Sequence, residues 1–289
     1  MSILLVINPV SGSKNKSDFI VFAKESMSKA GVEYRVFKTS GTNDCSQLQE
    51  LISEFSPDKV VIVGGDGTLN MFLKPLMDNK VNVGFIPMGS ANGMAEELDL
   101  QDNPRVLFQK FLESTSQKTL DVISINNSYL CLHLADIGAN ANLVANYEKD
   151  GGRGMFTYAK HFWTEFRNLQ PFEFEIKTEQ MEYERKGVML AICNGRKYGT
   201  GIPLNTIGKM DDGFFEFVVV KAMDFTDLIK AALSKFDENQ QNQNLETIQA
   251  KSATVKLKSP RLLQIDGEVI EKFEELQIEI IPKALKFMI

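Results

Sequence analysis

The sequence predicts two domains: an N-terminal α/β domain on a parallel sheet, then a mainly antiparallel β domain. Three observations predict it. Strand-like and helix-like segments alternate over roughly the first 87 residues, the order that places helices on both faces of a parallel sheet. From about Asp121 onward short strand patterns dominate instead,. The chain has 289 residues, which suits two medium domains better than one.

Each element has its own signal. Ile3 to Ile7 is an unbroken apolar run, as expected of a strand covered on both faces,. Ser17 to Ala30 has helical spacing, with Phe19, Phe22, Ala23 and Met27 on one side and Gly31 as the stop,. Tyr34 to Phe37 reads as a second strand, Gln47 to Phe55 as a helix closed by Pro57, and Lys59 to Val63 as a third strand,. A helix over Leu69 to Met77 carries Pro75, which should bend or shorten it,. Val81 to Ile86 is the fourth strand. Beyond Asp121, strands are expected at Tyr129–Leu134, Phe172–Lys177, Val188–Cys193, Phe214–Val220, Thr254–Leu257, Leu262–Ile265 and Leu276–Ile280. The strict alternation of Phe172–Lys177 marks a half-buried antiparallel strand. Helices are expected from about Met155 to Leu169 and from Asp224 to Phe236, with a polar loop over Asp237–Asn244,.

Composition narrows the function classes. Hydrophobic residues make up 43% and charged residues 24%, ordinary for a chain that buries a real core,. A net charge of -6 argues against nucleic acid as a partner,. Cys45, Cys131 and Cys193 lie far apart, without metal-ligand spacing or a disulfide framework, which fits a reduced, cytoplasmic compartment,. No window is long and apolar enough to span a bilayer, so membrane contact would be peripheral,.

Chemistry concentrates in loops that follow strands. Val60–Val63 runs into Gly64-Gly65-Asp66-Gly67-Thr68-Leu69-Asn70: a buried strand, a glycine-rich turn, then a helix start. Glycines allow positive φ and close backbone approach, and a helix N-terminus offers free N–H groups. Such a turn cradles phosphate, and no Gly-Lys-Ser/Thr follows to make it a Walker loop. Asn8-Pro9-Val10-Ser11-Gly12 and Pro87-Met88-Gly89-Ser90-Ala91-Asn92 follow strands one and four at the same sheet edge, where ligands bind in open α/β sheets,. Taken singly, each reads equally well as a plain turn. Asp211-Asp212-Gly213 and Asp266-Gly267-Glu268, taken singly, read as hairpin turns,. The stretch Arg153 to Phe166, rich in aromatics and bases, reads as a core-packing helix before it reads as a lipid entrance,. His133 and His161 have no partners suggesting metal or triad chemistry.

As an ordered set these motifs resemble the diacylglycerol kinase catalytic-domain family, in particular the bacterial lipid kinases related to sphingosine kinases. The marks are Asn8-Pro9 with Ser11-Gly12, Gly64 to Thr68, Pro87 with Gly89-Ser90 and Asn92, Asn194-Gly195 with Tyr198-Gly199 and Gly201, Asp211-Asp212-Gly213, and Asp266-Gly267-Glu268. The glycine run alone is shared with NAD kinases and phosphofructokinases. The resemblance implies an ATP-binding α/β domain over 1–120, rejoined by 284–289, and a β-sandwich over 121–283 that holds the lipid, with ATP in the cleft between them. It implies backbone donors from Asn8, Pro9, Ser11 and Gly12 and from Gly64, Gly65, Asp66, Gly67 and Thr68, with Asn70, Gly89, Ser90, Asn92 and Thr39 as further nucleotide contacts. Asp66 would organise Mg²⁺ or the acceptor hydroxyl, Glu268 would be the general base, and Asp212 with Asp211 would hold a second, structural Mg²⁺. The acceptor would be a lipid hydroxyl, of diacylglycerol or a sphingoid base, met at a membrane surface. Oligomeric state stays open, a homodimer included. Departures from the family pattern are Ser90 in place of Thr, Asn92-Gly93-Met94-Ala95 at the cleft rim, and Thr206 and Gly208 before the Asp-Asp-Gly turn. Two other readings stay open: an NAD-kinase-like small-molecule kinase, and a non-catalytic nucleotide- or lipid-binding protein of the same fold.

Overall fold

The fold is that of a computed structural model, which describes residues 1–12, 16–90, 92–138, 169–198, 202–221 and 245–289. The helices expected over 155–169 (all but Leu169) and 224–236, the 237–244 loop, the aromatic stretch up to Phe166, and Gly199 and Gly201 lie outside the described residues. The chain forms two compact units, Met1–Leu120 with Lys283–Ile289, and Asp121–Pro282.

The first unit runs β1 (Ser2–Ile7), α1 (Ser17–Lys29), β2 (Glu33–Lys38), α2 (Asp44–Phe55), β3 (Lys59–Gly64), α3 (Asp66–Met71), α4 (Leu73–Asp78), β4 (Asn82–Pro87), α5 (Gly93–Glu97) and α6 (Pro104–Glu113). The strands pair in the order β4-β3-β1-β2, all parallel. Lys286 and Phe287, near the chain's end, add a parallel pairing beside Asn82 and Val83 of β4. Because β2 lies on one side of β1 and β3 on the other, the winding reverses between β1 and β3. That reversal opens a crevice at the carboxyl ends of the two strands. Residues 3–7 and 60–63 are at most 1% exposed, as continuous apolar runs covered on both faces should be,.

Local chemistry sets the helix ends. Gly31 takes φ +65° after α1, the left-handed stop that glycine makes without a Cβ penalty. The expected single helix over 69–77 is two helices, starting earlier at Asp66 and breaking at Phe72. Pro75 causes the break, because it has no N–H for the Met71 carbonyl and its ring would collide with that group. Helix α2 starts at Asp44 rather than Gln47. The Asp44 carboxylate accepts from the Ser40 and Gly41 N–H groups, both at 2.8 Å, and so closes the preceding turn. Helices α5 and α6 are not among the sequence expectations. The Asn103 side chain caps α6 by accepting from Arg105 N at 3.0 Å, with Pro104 at the first position,. At its other end the buried Lys59 ammonium donates to the carbonyls of Phe111, Leu112 and Ser114, a cation at the negative end of the helix dipole. Phe108 of α6 packs edge-on against Phe19 of α1, with ring centroids 5.8 Å apart.

The second unit is antiparallel. Its strands are β5 (Gln117–Ile125, entered from the first unit), β6 (Tyr129–Cys131), β7 (Leu134–Ile137), β8 (Phe172–Thr178), β9 (Glu182–Gly187), β10 (Met189–Cys193), the short pair β11 (Lys197–Tyr198) and β12 (Ile202–Pro203), β13 (Phe215–Val220), β14 (Leu245–Ala250), β15 (Ser252–Ile265) and β16 (Glu268–Met288, whose residues from Lys283 onward belong to the first unit). The two strands expected over 254–257 and 262–265 are one. Its first half pairs with β8 and its second half with β7, and its register on β16 shifts between Lys256 and Arg261. A strand that changes neighbours across an irregularity is how a sandwich turns its corners, and Pro260, without an N–H, sits inside that irregularity,. The core between the layers holds Phe172, Phe174, Ile176, Leu190, Ile192, Phe215, Phe217, Leu263 and Ile278.

Candidate active site

Three loops of the first unit meet beyond the carboxyl ends of β1, β3 and β4. Asn8 continues the ladder by donating its N–H to Val63 O at 3.1 Å. Its side-chain amide donates to Thr68 Oγ1 at 3.0 Å, and its Oδ1 accepts from Val10 N at 3.1 Å, which makes an Asx turn at Pro9,. Ser11 Oγ donates to Asn8 O at 3.2 Å. Met88 N donates to Gly64 O at 2.7 Å. Thr39 lies at the end of β2, where its N–H donates to Ile7 O at 2.9 Å.

The glycines serve a purpose different from the one sequence suggests. None of Gly64, Gly65 and Gly67 has positive φ; what Gly64 and Gly65 supply is space. A Cβ on Gly64 would lie 2.6 Å from Thr68 Oγ1, and one on Gly65 would lie 3.1 Å from Gly89 Cα. On Gly89 it would lie 2.4 Å from Gly65 Cα. Gly12 does take φ +65°, and a Cβ there would lie 2.6 Å from Met88 O. Two backbones therefore cross at Gly65 and Gly89, with no room for a methyl group on Gly89,.

Asp66 ties this crossing to the next turn. Its carboxylate accepts from Gly93 N and, at 3.2 Å, from Met94 N. Asn92, left-handed at φ 55°, clasps Gly89 at both ends: Oδ1 accepts from Gly89 N at 2.9 Å, and Nδ2 donates to Gly89 O at 3.0 Å. The loops thus hold one another through Asn8, Asp66, Thr68 and Asn92. Gly89 is half-buried and Ser90 is exposed. Asn70 Oδ1 is buried without a hydrogen-bond partner among the described residues, an acceptor in need of a donor. Lys16, which sequence reading passed over, is buried just before α1, and its ammonium donates to Ser11 O. Burial pushes its pKa down. A lysine four residues past the Ser-Gly of the first loop was the available signal.

In the second unit Asp266 and Gly267 take φ 48° and 90°, a two-residue type I′ hairpin turn between β15 and β16,. Glu268 follows, opposite Ile265. Partial desolvation of its carboxyl, and then the charge of Asp266, raise its pKa,. At the Asp211-Asp212-Gly213 turn, Asp212 Oδ1 accepts from Phe214 N at 3.0 Å and Asp121 Oδ2 accepts from Gly213 N at 2.7 Å. Burial, then the negative Asp121 and Asp211, push the Asp212 carboxyl up despite the Phe214 bond. Carboxylate oxygens are hard donors and suit a hard cation. No group of three or more His, Cys, Asp or Glu among the described residues converges on a metal position. A Mg²⁺ held here by Asp211 and Asp212 would therefore keep several waters, as that ion commonly does.

A parallel sheet with interlocked glycine loops at its switch point, followed in the chain by an antiparallel sandwich, defines a protein of one α/β domain and one β-sandwich domain. Residues 2–125 match the diacylglycerol kinase catalytic domain, and residues 135–289 match the YegS C-terminal NAD kinase beta sandwich-like domain. The chain belongs to this diacylglycerol kinase family. It is 27% identical over 257 residues to a Staphylococcus epidermidis protein named "Putative lipid kinase", covering 84% of this chain and 80% of that one. It is 24% identical over 266 residues to a Citrobacter koseri protein named "Probable lipid kinase YegS-like", covering 89% and 86%. A crystal structure of a "putative diacylglycerol kinase" from Bacillus anthracis superposes with a TM-score of 0.82 at 21% identity, over 99% of this chain and 95% of that one. At that identity the likeness concerns the fold. No helix among the described residues is long and apolar enough to cross a membrane.

Proposed function

We propose that this chain is an ATP- and Mg²⁺-dependent lipid kinase that phosphorylates a lipid hydroxyl, of diacylglycerol or a related lipid such as a sphingoid base. Membership of the family implies ATP as the donor. The observation that carries the reading is the interlock of the Asn8–Gly12, Gly64–Thr68 and Gly89–Asn92 loops at the switch point of the sheet. Phosphoryl transfer asks mainly for positioning and charge stabilisation, and interlocked backbone loops position.

In this reading the loops present N–H groups to the phosphates, with Asn70, Thr39 and Ser90 as side-chain contacts. Asp66 would hold a Mg²⁺, which would supply charge neutralisation for the phosphates. A second Mg²⁺ would be held by Asp211 and Asp212. The acceptor hydroxyl oxygen forms its bond to the γ-phosphorus as the bond to the bridging oxygen of ADP breaks. The hydroxyl proton passes to the Glu268 carboxylate. A raised pKa makes that carboxylate a better base at neutral pH than an ordinary one,. The lipid is met at a membrane surface, in peripheral contact.

Asp66→Asn and Glu268→Gln test the assignment. Each is expected to remain folded and to lose turnover by a factor on the order of a hundred or more. Near-wild-type turnover in both folded variants would overturn it.

A further inference from the structure

The turn that carries Glu268 is held from behind by one carboxylate. Asp266 Oδ2 accepts from Leu132 N at 3.0 Å, and its Oδ1 accepts from His133 N at 3.0 Å and Leu134 N at 2.9 Å. The Cys131 thiol lies 3.6 Å from the same Oδ1. In return Asp266 N donates to Leu134 O at 2.9 Å. Sequence patterning gives one strand over 129–134. The structure breaks it after Cys131, because three successive N–H groups leave the ladder and turn onto this carboxylate. The segment is fixed from its other side as well. Asn194, fully buried, donates its amide to Leu132 O at 2.6 Å and to Asp121 O at 2.8 Å. The N–H groups of Asn194 and Gly195 both donate to His133 O.

This is more anchoring than a hairpin turn needs. An Asp-Gly type I′ turn forms on its own backbone preferences, and Ile265 already pairs with Glu268 across it. The additional bonds bind the turn to β6 and β7 and remove its freedom to rock. A base must sit within hydrogen-bond reach of one proton, and displacement by about 1 Å can cost a hundredfold in rate.

We propose that Asp266 is a positioning residue: its carboxylate locks the turn so that Glu268 leaves it in one fixed direction. The proposal rests on the reading of Glu268 as the base. The groups facing Asp266 are the Cys131 thiol and the backbone of Leu132, His133 and Leu134, with the His133 imidazole on the same segment. Burial, then the Asp266 charge, pushes the Cys131 thiol far up, so it stays protonated. Asp266 is therefore the charge that bears on Glu268.

Asp266→Asn tests this. The amide oxygen keeps the His133 and Leu134 bonds, but an NH₂ group meets the Leu132 N–H. The expected result, with diacylglycerol in detergent micelles and ATP, is a folded protein with unchanged ATP affinity. Its kcat falls on the order of tenfold to a hundredfold, and the acid limb of its pH–rate profile moves to lower pH. The limb moves down because the base works ionised, and removing a neighbouring negative charge makes ionisation easier. Titration of a ¹³C-labelled Glu268 carboxyl reads the same shift without turnover, so the test survives a wrong choice of lipid. A folded Asp266→Asn protein with wild-type kcat and an unmoved Glu268 titration overturns the proposal, while an inactive Glu268→Gln protein leaves the kinase reading standing. An active Glu268→Gln protein instead overturns the reading of Glu268 as base. Should Asp266→Asn not fold, Gly267→Ala strains the φ 90° position and leaves the carboxylate bonds in place,. A loss of kcat at unchanged ATP affinity supports the locked turn, and an unchanged kcat overturns it.

Discussion

Replacing Gly89 by alanine probes the crossing of the two loops most sharply. The added methyl carbon would lie 2.4 Å from Gly65 Cα, 2.8 Å from Asn92 Oδ1 and 3.1 Å from Gly65 N. Non-bonded carbons rest about 3.5–4.0 Å apart, so the backbones must separate by roughly 1 Å or more. Neither side can yield by a rotamer change, because the principal clash is with backbone. Overpacking of this kind costs about 1–3 kcal/mol. The larger effect should fall on the nucleotide, since the shift displaces Gly65 at the start of α3 and breaks the Asn92 clasp on Gly89. Displacement by that distance corresponds to a loss of activity on the order of a hundredfold. Gly65→Ala, with its Cβ 3.1 Å from Gly89 Cα, needs only a few tenths of an ångström and should be much milder. Urea unfolding followed by circular dichroism gives the stability term, and titration calorimetry with ATP gives the binding term. Wild-type ATP affinity in Gly89→Ala, or a larger effect from Gly65→Ala, would refute the reasoning.

Other predictions follow from the surrounding contacts. Lys59→Met leaves the carbonyls of Phe111, Leu112 and Ser114 without their cation, and it should destabilise the protein by about 1.5–3 kcal/mol in urea unfolding. Burial pushes the Asp44 carboxyl up, but the N–H bonds from Ser40 and Gly41 outweigh it, so its pKa in the fold lies below the ordinary carboxylate value. Its stabilising contribution is then complete above the unfolded pKa of about 3.9 and is lost as pH falls through the folded value. Unfolding curves of wild type and Asp44→Asn should therefore converge in acid. In wild type the acid limb of turnover should lie above the range of an unperturbed glutamate, because the Glu268 pKa is raised,. A limb at or below about pH 4.3 would contradict that.

Much of this was legible from residue order. Unbroken apolar runs at Ile3–Ile7 and Val60–Val63 can be covered on both faces in only a few ways, and they located the parallel sheet. Phe172–Thr178 alternates in burial as its sequence alternates. What escaped was whatever depends on groups distant in sequence. The start of α3 at Asp66 depends on Gly65 crossing Gly89, and α4 restarts because of Pro75. The break between β6 and β7 depends on Asp266, more than a hundred residues away. Helix α6 had a local signal, Asn103-Pro104 followed by Leu107, Phe108, Phe111 and Leu112 at helical spacing,. In the site, spacing suggested which loops face one edge. That Asn8 would grip Thr68, or that Asp66 would hold Gly93 and Met94, could not be read from spacing.

The reading as a lipid kinase is tested most directly by transfer of label. The protein would be incubated with γ-phosphate-labelled ATP, Mg²⁺ and, separately, diacylglycerol, a sphingoid base, ceramide and NAD. The account predicts label in at least one lipid, none in NAD, and none in any lipid when Glu268→Gln replaces the wild-type protein. Label in NAD alone, or in no acceptor at all, would contradict it.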